Sequence, residues 1–338
     1  MNGFIQEVTT QGKTLRNLMD YYKGEGASLL SGIVDEVREK GLKKILLTGM
    51  GSSLYATDSV RSLLTQNGYH AVSLSSYELS RYQSQQIDDK TLVIAISQSG
   101  RSFEVVEVLE KAGQKTVTVG ISNNPDSKVF AMADFGLPLV GGVEKSITSI
   151  TYAHTMLLLN LLAHALIGRL DEAFMREVDG IIAWIDDWND KWLEKTQEAF
   201  DFASDILLYD FIANNASLPT AKQMALACRE GLHNCAASWE CADYAHGQYH
   251  SSKLGASYLA QFFIPVFEEG TAEMRMVNYI LEHGGKVLAY TASTLPAHEN
   301  LRQIVIPPVR ESLSALMESI AAETLLGRLF GPEWIKDH

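Results

Sequence analysis

The segment Ser97-Gln98-Ser99-Gly100-Arg101-Ser102 places three hydroxyls, an amide and a glycine directly after the apolar run Leu92-Val93-Ile94-Ala95-Ile96. A helical pattern carried by Phe103, Val105, Val106, Val108 and Leu109 follows at once. A buried strand therefore ends in a hydrogen-bonding loop that turns straight into a helix. At such a junction free backbone N–H groups and the positive end of the helix dipole converge, and the hydroxyls add donors. The chemistry this favours is capture of a phosphate or another compact anion. A plainer alternative is a helix cap, in which Ser99 or Ser102 satisfies the first turn. A cap uses one hydroxyl, whereas this loop supplies three and a glutamine.

A second loop has the same character. Ile45-Leu46-Leu47-Thr48 reads as a strand, Gly49-Met50-Gly51-Ser52-Ser53 follows, and a helix is expected from about Leu54 to Thr65. The third glycine of the dinucleotide fingerprint is missing, as is the acidic residue for a ribose. No Gly-Lys-Ser/Thr makes it a nucleotide-phosphate loop. Ser52 and Ser53 suit a phosphate or sugar hydroxyls.

The elements that must position these loops follow from composition and periodicity. A chain of 338 residues with 46% hydrophobic content and 8 prolines is expected to fold compactly, with room for two cores. A formal charge of −13 disfavours nucleic acid and anionic membranes as partners. No apolar stretch has the length of a membrane span, and the start lacks a signal-peptide core. Cys228, Cys235 and Cys241 are an odd number without a CxxC spacing, so disulfides are not expected and the cytoplasm is the expected compartment.

Residues 1–41 read as amphipathic N-terminal helices. Residues 42–168 alternate strand and helix (Ile45–Thr48, Ala71–Ser75, Leu92–Ile96, Val117–Ser122, Phe135–Leu139) and end in an apolar helix from Tyr152 to about Leu166. This pattern predicts an α/β, doubly wound parallel sheet. Residues 169–200, with Trp184, Trp188 and Trp192, read as connecting helices, and residues 201–338 as a second unit that repeats the first. Ile206–Tyr209 is expected to correspond to Ile45–Thr48, and Tyr258–Pro265 to Thr91–Ser97. In the repeat the glycine loop has become Ala213-Asn214-Asn215-Ala216 and the serine loop Val266-Phe267-Glu268-Glu269-Gly270. Only the first copy is therefore expected to hold an anion.

Two tandem α/β units with these loops resemble the sugar isomerase (SIS) family, in particular the isomerase half of glucosamine-6-phosphate synthase and fructosamine-6-phosphate deglycases. The resemblance covers roughly residues 42–330, and no glutamine-hydrolysing domain is expected in front. The motifs that carry it are Gly51-Ser52-Ser53, Ser97 to Ser102, Ile147-Thr148-Ser149, and Glu230 paired with His246-Gly247-Gln248. It implies two tandem flavodoxin-like units and a sugar phosphate held by Ser97, Gln98, Ser99 and Ser102, with Ser52, Ser53 and Ser149 completing the pocket. It also implies a homodimer in which the histidine reaches the neighbouring active site. Sixteen positions separate Glu230 from His246, the spacing found in the synthase and deglycase families. Aldose–ketose exchange needs a base to move a proton between adjacent carbons, which a carboxylate shielded from water can do, and ring opening suits a histidine. Each residue alone reads equally well as a surface carboxylate and a loop histidine.

Two departures bear on the reaction. Ala227 stands where the synthase has a catalytic lysine, and the chain stops at His338, with Lys336 near its end, where the synthase has a longer lysine-bearing tail. Both favour deglycation, deamination or isomerisation of a 6-phosphorylated aminosugar or ketosamine over a glutamine-independent, synthase-like amination. Neither cofactor nor metal is expected. Glu230 and His233, with Glu240, His246 and His250 following, suggest a metal set, but carboxylate metal sites of that type need Glu-x-x-His twice. The remaining alternative is a sugar-phosphate sensor, which would need the phosphate pocket alone.

Overall fold

The computed structural model describes residues 1–336, and the chain divides into two compact units. One comprises Gln11–Glu144 and Ile150–Ile182. The other comprises Met1–Thr10, Lys145–Ser149 and the chain from Ala183 onward. In chain order the elements to the end of the first sheet are α1 (Gly3–Val8), α2 (Gln11–Lys23), α3 (Ala27–Glu39), β1 (Lys44–Gly49), α4 (Ser52–Tyr55), α5 (Asp58–Gln66), β2 (His70–Ser75), α6 (Ser76–Arg81), β3 (Thr91–Ile96), α7 (Phe103–Ala112), β4 (Val117–Ser122), α8 (Lys128–Met132) and β5 (Phe135–Pro138). Then come α9 (Ile150–Leu166), α10 (Glu172–Lys195), α11 (Gln197–Phe202), β6 (Leu208–Ala213), α12 (Leu218–Leu232), β7 (Cys235–Glu240), α13 (Cys241–Tyr244), β8 (Tyr258–Phe263), α14 (Ala272–Glu282), β9 (Lys286–Thr291), β10 (Leu301–Val305) and α15 (Glu311–Leu329).

The first sheet is parallel throughout, in the order β2-β1-β3-β4-β5. β3 and β4 are buried at every position, and their side chains are largely apolar, as interior strands of a parallel sheet require. Their core joins Leu46, Val93 and Ala95 to Leu79 of α6 and to Val105, Val108 and Leu109 of α7. α9 is apolar all round and buried almost end to end, the state expected of a helix without a polar face.

The second sheet, also parallel, runs β10-β9-β8-β6-β7. Read from its other edge it repeats the first order, with β6 matching β1, β7 matching β2 and β8 matching β3. Its core unites Ile212, Tyr258, Phe262 and Val287 with Tyr244, Val277 and Ile280. The repeat therefore holds, but three local expectations are corrected. The first strand of the second copy begins at Leu208, not Ile206, because its pairing with both neighbouring strands starts at Leu208, opposite Cys235 and Tyr258. The Ala- and Leu-rich run Ala221–Cys235 reads as helical to its end, yet the helix stops at Leu232, where His233 adopts the left-handed conformation, and Cys235 opens a strand. The expected single helix after the glycine loop is likewise two, α4 and α5. Among the described residues no helix is long and apolar enough to cross a membrane.

Candidate active site

β1 and β3 are hydrogen-bonded neighbours with Thr48 paired to Ala95, so the glycine loop and the serine loop leave the sheet side by side at the carboxyl ends of their strands. The chain runs from β1 to β2 on one side and returns to β3 on the other, which makes this gap the topological switch point, where ligands bind in open parallel sheets. That strand pairing brings the loop with Ser52 and Ser53 and the 97–102 segment to the same edge of the sheet.

Within the serine loop, Ser97 is buried and its Oγ lies 2.9 Å from the Oγ of Ser102, while the Ser102 N–H donates to it at 3.4 Å. Ser97 thus closes the loop into a ring. The Ser99 Oγ accepts from the Arg101 N–H at 3.3 Å and is otherwise turned to solvent, with Gln98 half-buried beside it. Neither serine caps α7: Ser102 occupies the cap position without a side-chain bond to the helix. The capping alternative therefore fails, and the dipole end of a ten-residue helix faces the loop uncapped.

The scaffold beneath the loop was not read from the sequence. The Gln98 carbonyl accepts from the Asn123 N–H at 3.0 Å and from the Ser122 hydroxyl at 3.2 Å. Gly100 has φ +66, and a Cβ there would lie 2.1 Å from the Ser127 Oγ. The signal was the turn cluster Ser122-Asn123-Asn124-Pro125 at the end of β4, which carries no chemistry by itself.

The second unit holds Ser149, Glu230 and His246. Ser149 is buried at the end of the Lys145–Ser149 segment. Glu230 lies in the last turn of α12 and is exposed. Its neighbour Arg229 donates to the Ala236 carbonyl at 2.7 Å, which pins this end of the helix to the start of β7. His246, also exposed, follows α13 beyond the far end of that strand. Tyr244, two residues earlier, is hydrogen-bonded to Tyr258, which donates to Asp210 at 2.8 Å, and Gly247 at φ +135 demands the glycine of the motif. β7 has six residues. At about 3.3 Å each, Glu230 and His246 stand on the order of 20 Å apart along the strand direction. One chain does not bring this pair together, nor does it shield Glu230 from water. His233 shares the Glu230 end of the strand and His250 the His246 end, so the residues weighed for a metal are divided as well.

In the second copy the loops at the β6/β8 switch point are occupied by the protein's own carboxylates. Asn214 donates to Glu273 in the first turn of α14, and Asn215 to Glu311 at 2.6 Å. Glu318, wholly buried, accepts from Ser217 at 2.8 Å and Thr220 at 3.2 Å. Burial raises its pKa from 4.5 to about 7 against those hydrogen bonds. An anionic ligand would meet like charge here. Because the unfolded chain ionises this carboxyl near 4.5, its contribution to stability is full below that pH and is lost as pH rises through about 7. Glu318→Gln is therefore expected to match the wild type at pH 4.5 and to gain on it up to pH 7, by on the order of 3 kcal/mol. Thermal melts across this range check it, and a gap that does not change with pH would contradict it.

Comparison with known proteins agrees with this architecture. Residues 34–165 match the SIS domain family. A glutamine–fructose-6-phosphate aminotransferase (isomerizing) of Methanocaldococcus jannaschii is 25% identical over 305 residues, 86% of this chain and 27% of that protein. Its namesake from Pyrococcus horikoshii is 29% identical over 210 residues, 60% of this chain and 35% of that protein. The chain thus spans about a third or less of the length of these two relatives. Among solved structures, the C-terminal domain of glucosamine-fructose-6-phosphate aminotransferase from Francisella tularensis aligns with a TM-score of 0.87 at 18% identity, covering 98% of this chain and 96% of that one. Tagatose-6-phosphate ketose/aldose isomerase from Escherichia coli gives 0.78 at 16% identity, covering 97% and 92%. At these identities the structural likeness speaks for the fold alone.

Proposed function

We propose that this chain, which carries a SIS domain and is homologous to the isomerase domain of glutamine–fructose-6-phosphate aminotransferase and to phosphosugar isomerases, is an enzyme acting on a 6-phosphorylated aminosugar or ketosamine. The observation that carries the reading is the uncapped serine loop beside the glycine loop at the switch point of the first sheet. Ser99, Gln98, Ser102 and the first N–H groups of α7 hold the phosphate in the loop that Ser97 closes. Ser52, Ser53 and the Ser149 turn serve the sugar. Each sheet is doubly wound, with helices on both faces.

Glu230 takes a proton from the carbon bearing the amine in a ketosamine and returns it to the neighbouring carbon, which converts the enolamine to an imine. Water then cleaves the imine to an aldose phosphate and the free amine, so atoms and charge balance without a redox partner. His246 opens the ring or protonates the sugar oxygen. It is supplied by a second copy of the chain, because within one chain it stands at the opposite end of β7 from Glu230. Ala227 leaves no lysine amine on that stretch of α12, which favours release of an amine over the synthase's amination.

The test is incubation with phosphorylated ketosamines and aminosugars in deuterated water. The expected result is released amine or ammonia together with one deuterium, at the second carbon of an aldose phosphate or the first carbon of a ketose phosphate. The exposure of Glu230 favours one rival, a non-catalytic phosphosugar sensor, and binding of these compounds without deuterium uptake would put that reading in its place.

A further inference from the structure

The turn that carries Ser149 is held by groups the proposed chemistry does not use. Lys145–Ser149 has no regular secondary structure, so its backbone groups need partners from elsewhere in the second unit. The half-buried carboxylate of Glu7, in α1, supplies them at one end. Its Oε1 accepts from the Lys145 N–H at 2.7 Å and its Oε2 from the Ser146 N–H at 3.1 Å, and the Ser146 hydroxyl donates to Oε2 as well. At the other end the buried Gln223 donates from Nε2 to the Thr148 carbonyl at 2.8 Å. Gln223 lies two helical turns before Glu230 on the same face of α12. Lys336 donates to the Ser146 carbonyl at 3.0 Å.

α1 is itself firmly placed. The buried Asn2 caps it through Ile5 N–H at 3.0 Å, while its amide donates to the carbonyls of Gly327 at 2.8 Å and Gly331 at 2.7 Å. Phe4 packs against Phe330, and the Gly327 position in α15 has no room for a Cβ beside Ile5 and Phe4. The Glu7 carboxylate therefore reaches the turn from a rigid base.

We infer that Glu7 is a positioning residue: it clamps the Ser149 turn at the distance from Glu230 that the reaction needs, with Gln223 as the clamp's second jaw. This rests on the function proposed above. Two acceptor oxygens meet three donors, and an amide replaces one oxygen by a donor that opposes an N–H. Glu7→Gln therefore frees the turn without emptying the site.

Hydrogen exchange and kinetics together test the clamp. In Glu7→Gln the Lys145 and Ser146 amides are expected to exchange faster, with β3 protection unchanged. Misplacement near 1 Å costs about a hundredfold, so kcat on the productive phosphosugar is expected to fall roughly tenfold to a hundredfold. Inhibition by inorganic phosphate, bound at the other unit, stays as in the wild type. Ser146→Ala, which removes only the hydroxyl, is expected to move both readouts the same way by less, and it substitutes if Glu7→Gln does not fold. Unchanged amide exchange overturns the clamp, and so does faster exchange with unchanged kcat. A wild type that binds phosphosugars but turns none over defeats the proposed enzyme instead; phosphosugar affinity then replaces kcat, and an affinity unchanged by Glu7→Gln overturns the clamp.

Discussion

Glu230→Gln is expected to lower kcat on the productive phosphosugar by about 10²–10⁴ with KM little changed, the usual worth of a positioned proton-transfer group. The amide keeps the size of the side chain and removes only the basic oxygen. Glu230 is exposed near the end of α12 and no backbone bond depends on its carboxylate, so the melting temperature is expected to stay within the small range of surface substitutions. A second measurement uses the strand that separates Glu230 from His246. If each active site takes its carboxylate from one copy and its imidazole from the other, dimers mixed from Glu230→Gln and His246→Asn chains regain one intact site. About a quarter of wild-type activity is then expected from a statistical mixture of two inactive variants. Full turnover by Glu230→Gln removes the carboxylate from the mechanism, and an inactive mixture removes the shared site.

The serine loop is expected to respond differently, through binding. Hydrogen bonds to a charged partner contribute about 1.5–3 kcal/mol each, and every 1.4 kcal/mol is about tenfold in affinity. Ser97→Ala/Ser99→Ala together remove one direct bond and the ring that sets Ser102, and should raise KM for a phosphorylated sugar by on the order of a hundredfold. The single variants separate two roles. Ser99 is exposed and in the proposed site meets the ligand directly, so its loss is expected to raise KM and the inhibition constant of inorganic phosphate in parallel. Ser97 is buried against Ser102, so its loss also loosens the loop and should lower the protection of the Ser102 amide, which donates to it. Unchanged KM in the double variant would move the anion site elsewhere.

Local pattern sufficed for the five strands of the first sheet and for the place of the serine loop. The runs Leu92–Ile96 and Val117–Ser122 are strands over nearly the range their apolarity suggests, because a parallel strand buried at every position is largely apolar. The 97–102 segment declared itself through residue type, since three hydroxyls between a strand and a helix exceed what a cap requires. Chain order also revealed the repeat, in whose second copy Glu268 and Glu269 stand in the loop that corresponds to the serine loop.

Tertiary structure decided what depends on distance between segments remote in sequence. The sixteen-residue spacing of Glu230 and His246 looks like proximity, yet a whole strand lies between them and places them at opposite ends of the sheet. Periodicity missed β7 because Cys235–Glu240, interrupted by Ser238 and closed by Glu240, carries neither a long apolar run nor a clear alternation. That the two hydroxyl loops meet follows from the pairing of β1 with β3, a nonlocal choice made by packing. The clamp on the Ser149 turn joins residues 7, 145, 146, 148 and 223, and Glu7 resembles any other surface acid in sequence. A single carboxylate has no periodicity; only the fold reveals which backbone amides it must satisfy.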